Sequence, residues 1–346
     1  MHNEKFISSF VKFINIHLIN TEHKFIILGG KDIDTSPIPN YENVEILDIR
    51  LCINSNKQEL EKKLYPYFNQ AYKVILHGLF EKYYIDFLYK NDNFLNKCLW
   101  VIWGGDLYDY QKRGLVSKNF LTLFKKKHII KKLSGFITYV QGDYELAKKW
   151  HGNKDGKYYE CFMYTSNLYK EYRIKDKRKN MINIQIGNSA DPTNNHFEIL
   201  KELEKYKDKD IKIIVPLSYG NEFYAKKVIT EGQKIFGDKF IGLEKFMSFE
   251  QYLDLLSEVD IAIFNHDRQQ AMGNIITLLG LGKKVYIKKS ITPWRLFNNL
   301  DVKVFDINKI DLKRLSHKDK ENNTYKIKNY FSEFNYLMQL KKIFES

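Results

Sequence analysis

The stretch VDIAIFNHDRQQAMGNIITLL, residues 259–279, decides the reading of this chain. Its first six residues are almost all apolar, as a strand buried on both faces requires. A polar loop, Asn265 to Gln270, follows, and the chain then turns apolar again with helical spacing. A buried strand that passes through a polar loop into a helix belongs to a βαβ unit. The free N–H groups of the helix's first turn, with one arginine, make a cradle for a diphosphate. In that reading Arg268 is the charge partner, and Gln269 and Gln270 bond sugar or phosphate oxygens. Gly273 and Asn274 open the helix, the glycine permitting close backbone approach. The same pattern also fits an ordinary strand–loop–helix with a solvated arginine.

Outward from this unit the alternation continues in both directions. Towards the C-terminal side and back to the middle of the chain, strands are expected at 182–186, 211–215, 241–243, 259–264, 284–287 and 302–305. Helices are expected at 194–205, 222–236, 249–256 and 273–281, with a last helix at 330–344. In the first half, strands are expected at 24–30, 44–47, 74–77, 99–103 and 135–140. Helices are expected at 4–19, 57–68, 83–90 and 116–133. A basic, polar stretch at 169–180 reads as a linker. The fold class is therefore α/β, with two Rossmann-like domains. These are 1–168 and 169–329, followed by a C-terminal helix at 330–346. Ligands of open α/β sheets bind at the carboxyl ends of the strands, so two tandem domains predict two ligands across a cleft.

Composition narrows the function. The chain has 346 residues, 44% hydrophobic and 28% charged, and a formal net charge of +14. That balance describes a globular protein with an anionic partner: nucleic acid, a phosphorylated ligand or a membrane surface. Only seven of the 56 basic residues are arginines, which argues against nucleic acid, where bidentate arginine contacts dominate. The longest uncharged run, Gln269 to Gly282, is 14 residues and too short to span a bilayer. No secretory leader is visible at the start. Cys52, Cys98 and Cys161 are odd in number and widely spaced, which predicts reduced thiols in a cytoplasmic protein.

Three further motifs end strands at the ligand edge. In VILHG, His77 follows a strand and precedes Gly78, and its ordinary pKa suits a general base. In LWVIWGGDLY, residues 99–108, an apolar strand ends in Gly104, Gly105 and Asp106. A carboxylate there either takes a proton from an acceptor hydroxyl or caps the next helix. Trp103 beside it reads more readily as core than as a sugar-stacking platform. In NIQIGNSADPTNN, residues 183–195, Gly187 permits close ligand approach, and Asn188 and Ser189 offer hydrogen bonds. The spacing is neither a dinucleotide fingerprint nor a P-loop. The pairs Asp32/Asp34 and Asp208/Asp210 lack a third ligand, so neither a metal nor another cofactor is expected. The helical stretch 115–133 is apolar on one side and carries Lys118, Lys125, Lys126, Lys127, Lys131 and Lys132 elsewhere. It either packs on the sheet with a wet basic face or lies on an anionic bilayer.

Taken together, the motifs His77-Gly78-Leu79-Phe80, Ile102 to Tyr108, Gly187-Asn188-Ser189, Val215-Pro216 and Arg268-Gln269-Gln270 resemble a known family. It is the TDP-N-acetylfucosamine:lipid II N-acetylfucosaminyltransferases of enterobacterial common antigen synthesis, the 4-alpha-L-fucosyltransferase family. The resemblance covers nearly the whole chain. It implies a GT-B fold, a dTDP-4-acetamido-4,6-dideoxygalactose donor and a polyprenyl-diphosphate-linked saccharide acceptor. It implies peripheral attachment at the cytoplasmic face of the inner membrane, and no metal or cofactor. Donor contacts fall on Gly187, Asn188, Ser189, Pro216, Arg268, Gln269, Gln270, Gly273 and Asn274. That Trp103, Gly105 and Tyr108 touch the acceptor is an expectation that only this resemblance supplies. His77 and Asp106 fall on the acceptor side. The resemblance does not say which of the two is the base. Two departures stand out. Residues 264–282 contain no glutamate, where many retaining GT-B enzymes carry a pair; this suits a deoxyribose donor and leaves the stereochemical course open. Family members also begin with a strand before a His-Asn, whereas this chain starts at Met1-His2-Asn3, so a first strand of the N-terminal sheet is expected to be missing. Two other readings stay open: a non-hydrolysing sugar-nucleotide epimerase, and a basic non-catalytic binding module.

Overall fold

The computed structural model describes residues 6–29, 41–48, 57–112, 120–171 and 181–345. Met1-His2-Asn3, the Asp32/Asp34 pair, Cys52, the start of the lysine-rich stretch and residues 172–180 of the expected linker lie outside them. The chain forms two units, one of Met1–Leu168 with Glu333–Ser346, the other of Tyr169–Ser332.

The first unit runs α1 (Ile7–His17), β1 (Phe25–Gly29), β2 (Val44–Asp48), α2 (Lys57–Gln70), β3 (Val74–His77), α3 (Lys82–Lys90) and β4 (Cys98–Val101). It continues with the one-turn α4 (Gly105–Tyr108), α5 (Phe120–Lys132), β5 (Gly135–Ile137), α6 (Gln141–His151) and β6 (Lys157–Tyr159). Its strands form two sheets among the described residues, β1-β2 and β3-β4-β5-β6, every neighbouring pair parallel. β4 is buried at all four positions, which is why it reads as a continuous apolar run. Helix α1 spans the two sheets: the Phe10 ring stands edge-on to Phe25 of β1 at 6.3 Å and to the His77 ring of β3 at 5.2 Å. The core joins Leu28 and Leu47 to Leu64, Phe68, Leu76, Trp100 and Phe136.

The second unit runs β7 (Ile182–Ile186), α7 (His196–Leu203), β8 (Ile211–Pro216), α8 (Glu222–Phe236), β9 (Phe240–Leu243) and α9 (Phe249–Glu258). It continues with β10 (Ile261–Phe264), α10 (Met272–Gly280), β11 (Lys284–Ile287), α11 (Thr292–Asn299), β12 (Phe305–Asp306) and α12 (His317–Tyr330). All six strands are parallel, in the order β12-β11-β10-β7-β8-β9. This is a doubly wound sheet whose strand order reverses between β7 and β10. A crevice opens at such a reversal, outside the carboxyl ends of those two strands. The core is made of Ile184, Ile186, Ile213, Val215, Ile261 and Ile263 beneath α7 and α8.

A final helix, α13 (Glu333–Phe344), belongs to the first unit. Its Tyr336 hydroxyl donates to the Met163 carbonyl at 2.5 Å, and its Gln339 accepts from the Phe162 amide at 3.2 Å. The last helix expected at 330–344 is α13, which begins three residues later, after α12 has ended at Tyr330, and the second unit ends at Ser332. The lysine-rich stretch also differs from expectation: Lys126 is 1% exposed, on the inner face of α5. Its ammonium donates to the Asp106 carbonyl, and to the Asp109 carboxylate at 2.6 Å. An ammonium tied to two oxygens can be buried where a free one cannot.

Candidate functional site

The reversal of strand order places two loops side by side. After β7 the chain turns at Gly187, whose φ is +64° and whose amide donates to the Ile263 carbonyl of β10 at 2.9 Å. A Cβ at Gly187 would lie 2.6 Å from both the Asn194 Oδ1 and the His196 Nε2. Only glycine fits that backbone and that space. The loop is then closed on itself. Asn194 Oδ1 accepts from the Asn188 amide at 3.0 Å, and its Nδ2 donates to the Ser189 hydroxyl at 3.2 Å. Asn188 Nδ2 donates to the Tyr219 hydroxyl at 2.8 Å.

After β10, residues 265–270 fold against this first loop. His266 Nε2 donates to Asn194 Oδ1 at 3.0 Å, and Thr193 donates to the Gln270 side chain at 3.0 Å. Asn195 holds a left-handed backbone with φ +50° and donates to the Asn265 carbonyl at 2.8 Å. It thereby turns His196 inward at the start of α7. Both histidines are buried and neutral. Burial pushes the His196 pKa down to about 4. Burial, with Arg268 and His196 nearby, pushes that of His266 down to about 3.

Several buried polar atoms here have no hydrogen-bond partner among the described residues: Asn188 Oδ1, His196 Nε2, Asn265 Oδ1, His266 Nδ1 and Gln269 Oε1. Leaving such an atom unmet costs about 1–3 kcal/mol, so a cluster of them at a sheet's ligand edge is a binding feature. A neutral His266 that donates through Nε2 presents an acceptor at Nδ1, and the three amide oxygens are acceptors too. They call for hydroxyl or N–H donors. Anion-binding groups stand beside them. Ala271 caps α10 with φ +56° and no side-chain cap bond, so the first-turn amides of Met272, Gly273 and Asn274 are not met by a capping side chain. Arg268 is half-buried, with one guanidinium N–H on the Gln269 carbonyl at 3.0 Å. Pro216 ends β8. Beyond Ala190 lies a pocket of about 220 Å³, lined by Leu217, Tyr219, Gly220, Ala225, Lys226 and Glu244. Donors for phosphate and acceptors for hydroxyls on one edge match a sugar nucleotide.

The first unit carries the other motifs. His77 ends β3, buried, and shares a hydrogen bond of 2.8 Å between its Nδ1 and the Tyr164 hydroxyl. Burial lowers its pKa well below the ordinary value. Asp106 is fully buried. Its Oδ2 accepts from the Leu79 amide at 3.0 Å and the Trp100 indole at 2.8 Å, and its Oδ1 from the Trp103 amide at 3.0 Å. The carboxylate ties the loop after β3 to the loop after β4, and substrate contact is left to what it positions. Burial raises its pKa against those donors and Lys126. Trp103 is half-buried, edge-on to Phe80 at 6.0 Å and to Tyr164 at 5.1 Å, and its indole N–H has no partner among the described residues. Gly78 has φ +84°, and a Cβ there would meet the Phe80 ring at 2.7 Å; Gly105 faces the same ring. Tyr108 departs from its expected acceptor contact: it is buried and donates to Asp143 at 2.9 Å, edge-on to Trp150.

Sequence reasoning singled out the Gly187 and Arg268 loops and His77, and missed Asn194, His196, Asn265 and His266. The signals available were His266 two residues after the end of β10, and the pair Asn194-Asn195 before His196 at the start of α7. Among the described residues no three His, Cys, Asp or Glu side chains group as a metal site.

A family model described as 4-alpha-L-fucosyltransferase, glycosyl transferase group 56, matches residues 1–344. Among solved structures, sucrose-phosphate synthase from Thermosynechococcus elongatus is similar at 9% identity and TM-score 0.67, over 97% of this chain and 92% of that one. A glycosyltransferase from Rickettsia africae matches at 13% identity and TM-score 0.60, over 98% and 92%. WaaG, a glycosyltransferase involved in lipopolysaccharide biosynthesis, matches at 9% identity and TM-score 0.56, over 97% and 90%. The shared fold is GT-B.

Proposed function

The chain belongs to the 4-alpha-L-fucosyltransferase family and is a glycosyltransferase, and on that premise we propose a donor and an acceptor for it. The donor is a dTDP-linked deoxyamino sugar, 4-acetamido-4,6-dideoxygalactose or a close relative. The acceptor is a polyprenyl-diphosphate-linked saccharide at the inner face of the cytoplasmic membrane, in cell-surface polysaccharide synthesis. The observation that carries the donor half is the set of unmet buried acceptors beside Arg268 and the α10 N-terminus. Arg268 and the first-turn amides hold the diphosphate as it leaves with the developing charge. Asn188, Gln269 and the two histidines orient hydroxyls of the nucleoside and sugar. On the first unit, His77 is the base. Its Nδ1 is engaged by Tyr164, which fixes the ring and leaves Nε2 for the acceptor hydroxyl. Asp106 is a positioning residue that shapes the loops around Trp103 and Phe80.

The test is transfer of radiolabelled sugar from a panel of dTDP- and UDP-sugars into extracted lipid-linked saccharide. Label is expected in the lipid fraction from a dTDP-sugar. Intact protein that transfers from none of the panel overturns the reading, and isomerisation of free dTDP-sugar without acceptor replaces it with an epimerase.

A further inference from the structure

Helix α5 hides one face and shows another, and the chemistry of the two is inverted from what a lysine-rich helix on a sheet requires. Its buried side holds Lys126, Ile129 and Ile130. Its outward side carries Phe120, Leu121 and Phe124, exposed at 71%, 59% and 54%. No other helix among the described residues exposes three such large apolar side chains within five residues. Phe120, Phe124, Lys127 and Lys131 recur at spacings of four, three and four, which is one stripe along the helix. Lys125 and Lys132 flank that stripe and spend their charge on Asp86 at 2.6 Å and Asp92 at 2.5 Å. Lys127 and Lys131 are exposed and make no ion pair among the described residues. The outward face is therefore an apolar tip that leads into free positive charge.

We propose that this face docks on an anionic lipid bilayer. Phe120, Leu121 and Phe124 enter the boundary between headgroups and acyl chains, while Lys127 and Lys131 meet the headgroup phosphates. Charge complementarity selects this occupant: an apolar partner protein would cover the phenylalanines and leave two uncompensated ammonium groups at the rim. The opposite face gives the docking its use. Lys126 binds the Asp106 carbonyl, and Asp106 holds the loops of Trp103 and Phe80. A bilayer under α5 is thus mechanically tied to the loops where a membrane-embedded acceptor would be read. This use rests on the polyprenyl-linked acceptor proposed above; the docking itself does not.

The test is cosedimentation of the full chain with vesicles of phosphatidylcholine alone and of phosphatidylcholine mixed with phosphatidylglycerol. Binding is expected only to the anionic vesicles, and it weakens with salt. F120S/L121S/F124S is expected to reduce it at least tenfold. K127A/K131A is expected to reduce it and to flatten its salt dependence, with an unchanged melting temperature because neither lysine makes an ion pair among the described residues. Y325S, which removes an exposed aromatic from the other unit, is expected to bind as wild type. Wild type that ignores both vesicles, or either α5 variant binding as wild type does, overturns the proposal. So does a wild-type dimer that the triple variant converts to monomer without any vesicle binding. Transfer to detergent-dispersed acceptor separates the two readings: its failure removes the acceptor and leaves the vesicle result standing.

Discussion

At the scale of single residues, the two groups expected to compete as general base have different geometries. Asp106 accepts three hydrogen bonds, from the loops after β3 and β4 and from Trp100 of β4 itself, while 0% exposed. Asp106→Ala leaves two amides and an indole N–H buried without a partner. By the cost of orphaned donors it should destabilise the first unit by about 2–4 kcal/mol, read as a lower urea midpoint. A variant that loses activity at unchanged stability would return Asp106 to the chemistry. His77 predicts the opposite pattern. His77→Gln keeps a polar group against Tyr164, so melting should hold while kcat falls about 10²–10⁴-fold, the usual range for a lost general base. On the donor side, Arg268→Ala should weaken dTDP binding by about 1.5–3 kcal/mol, as loss of a charge-assisted bond does. An unchanged dissociation constant in calorimetry would remove Arg268 from the diphosphate.

At the scale of elements, what was legible tracks where the apolar residues lie. β3 (VILH), β7 (INIQI) and β11 (KVYI) were bounded to the residue, because each is a short segment rich in β-branched apolar residues set between polar or glycine turns. α12 was not seen at all: HKDKENNTYKIKNY buries only Asn323 and Ile327, so it has no apolar period to read. The site divides the same way. Gly187 and Arg268 stand directly after such runs, and their place on the ligand edge follows from that. Asn194 and His196 reach the same edge only because Asn195 turns left-handed and because β10 pairs with β7 rather than with β9, and local spacing encodes neither. The strands of the first unit form two sheets among the described residues, and the smaller one, β1-β2, carries a consequence. Two strands alone make a marginal sheet. In hydrogen exchange, the amides of Phe25–Gly29 should therefore exchange well before those of Ile182–Ile186, whose strand is paired on both sides. Equal protection would mean that β1 is held by more than β2.

At the scale of the whole molecule, the net charge of +14 is mostly lysine spread over the surface, where each ion pair contributes about 0–1 kcal/mol. Buried histidines are a larger lever on stability. His196 and His266 are both 0% exposed, with pKa values lowered to about 4 and about 3. In the unfolded chain a histidine titrates near 6.5. Above that pH neither state binds the protons, and the second unit keeps its full stability. As the pH falls below 6.5 the unfolded chain takes up two protons that the folded unit refuses. Stability then drops by about 1.4 kcal/mol per pH unit for each histidine, until folded His196 protonates near pH 4 and folded His266 near pH 3. The carboxylates Asp267 and Asp311, whose pKa values are lowered by their lysine partners against burial, add their loss only at more acid pH. The melting transition of the second unit should therefore fall steeply between about pH 6 and pH 4. H196Q/H266Q should flatten that slope even if it melts lower overall. A slope that survives both substitutions would place the proton uptake elsewhere, and with it the claim that these two rings are held neutral to present acceptors to the nucleotide.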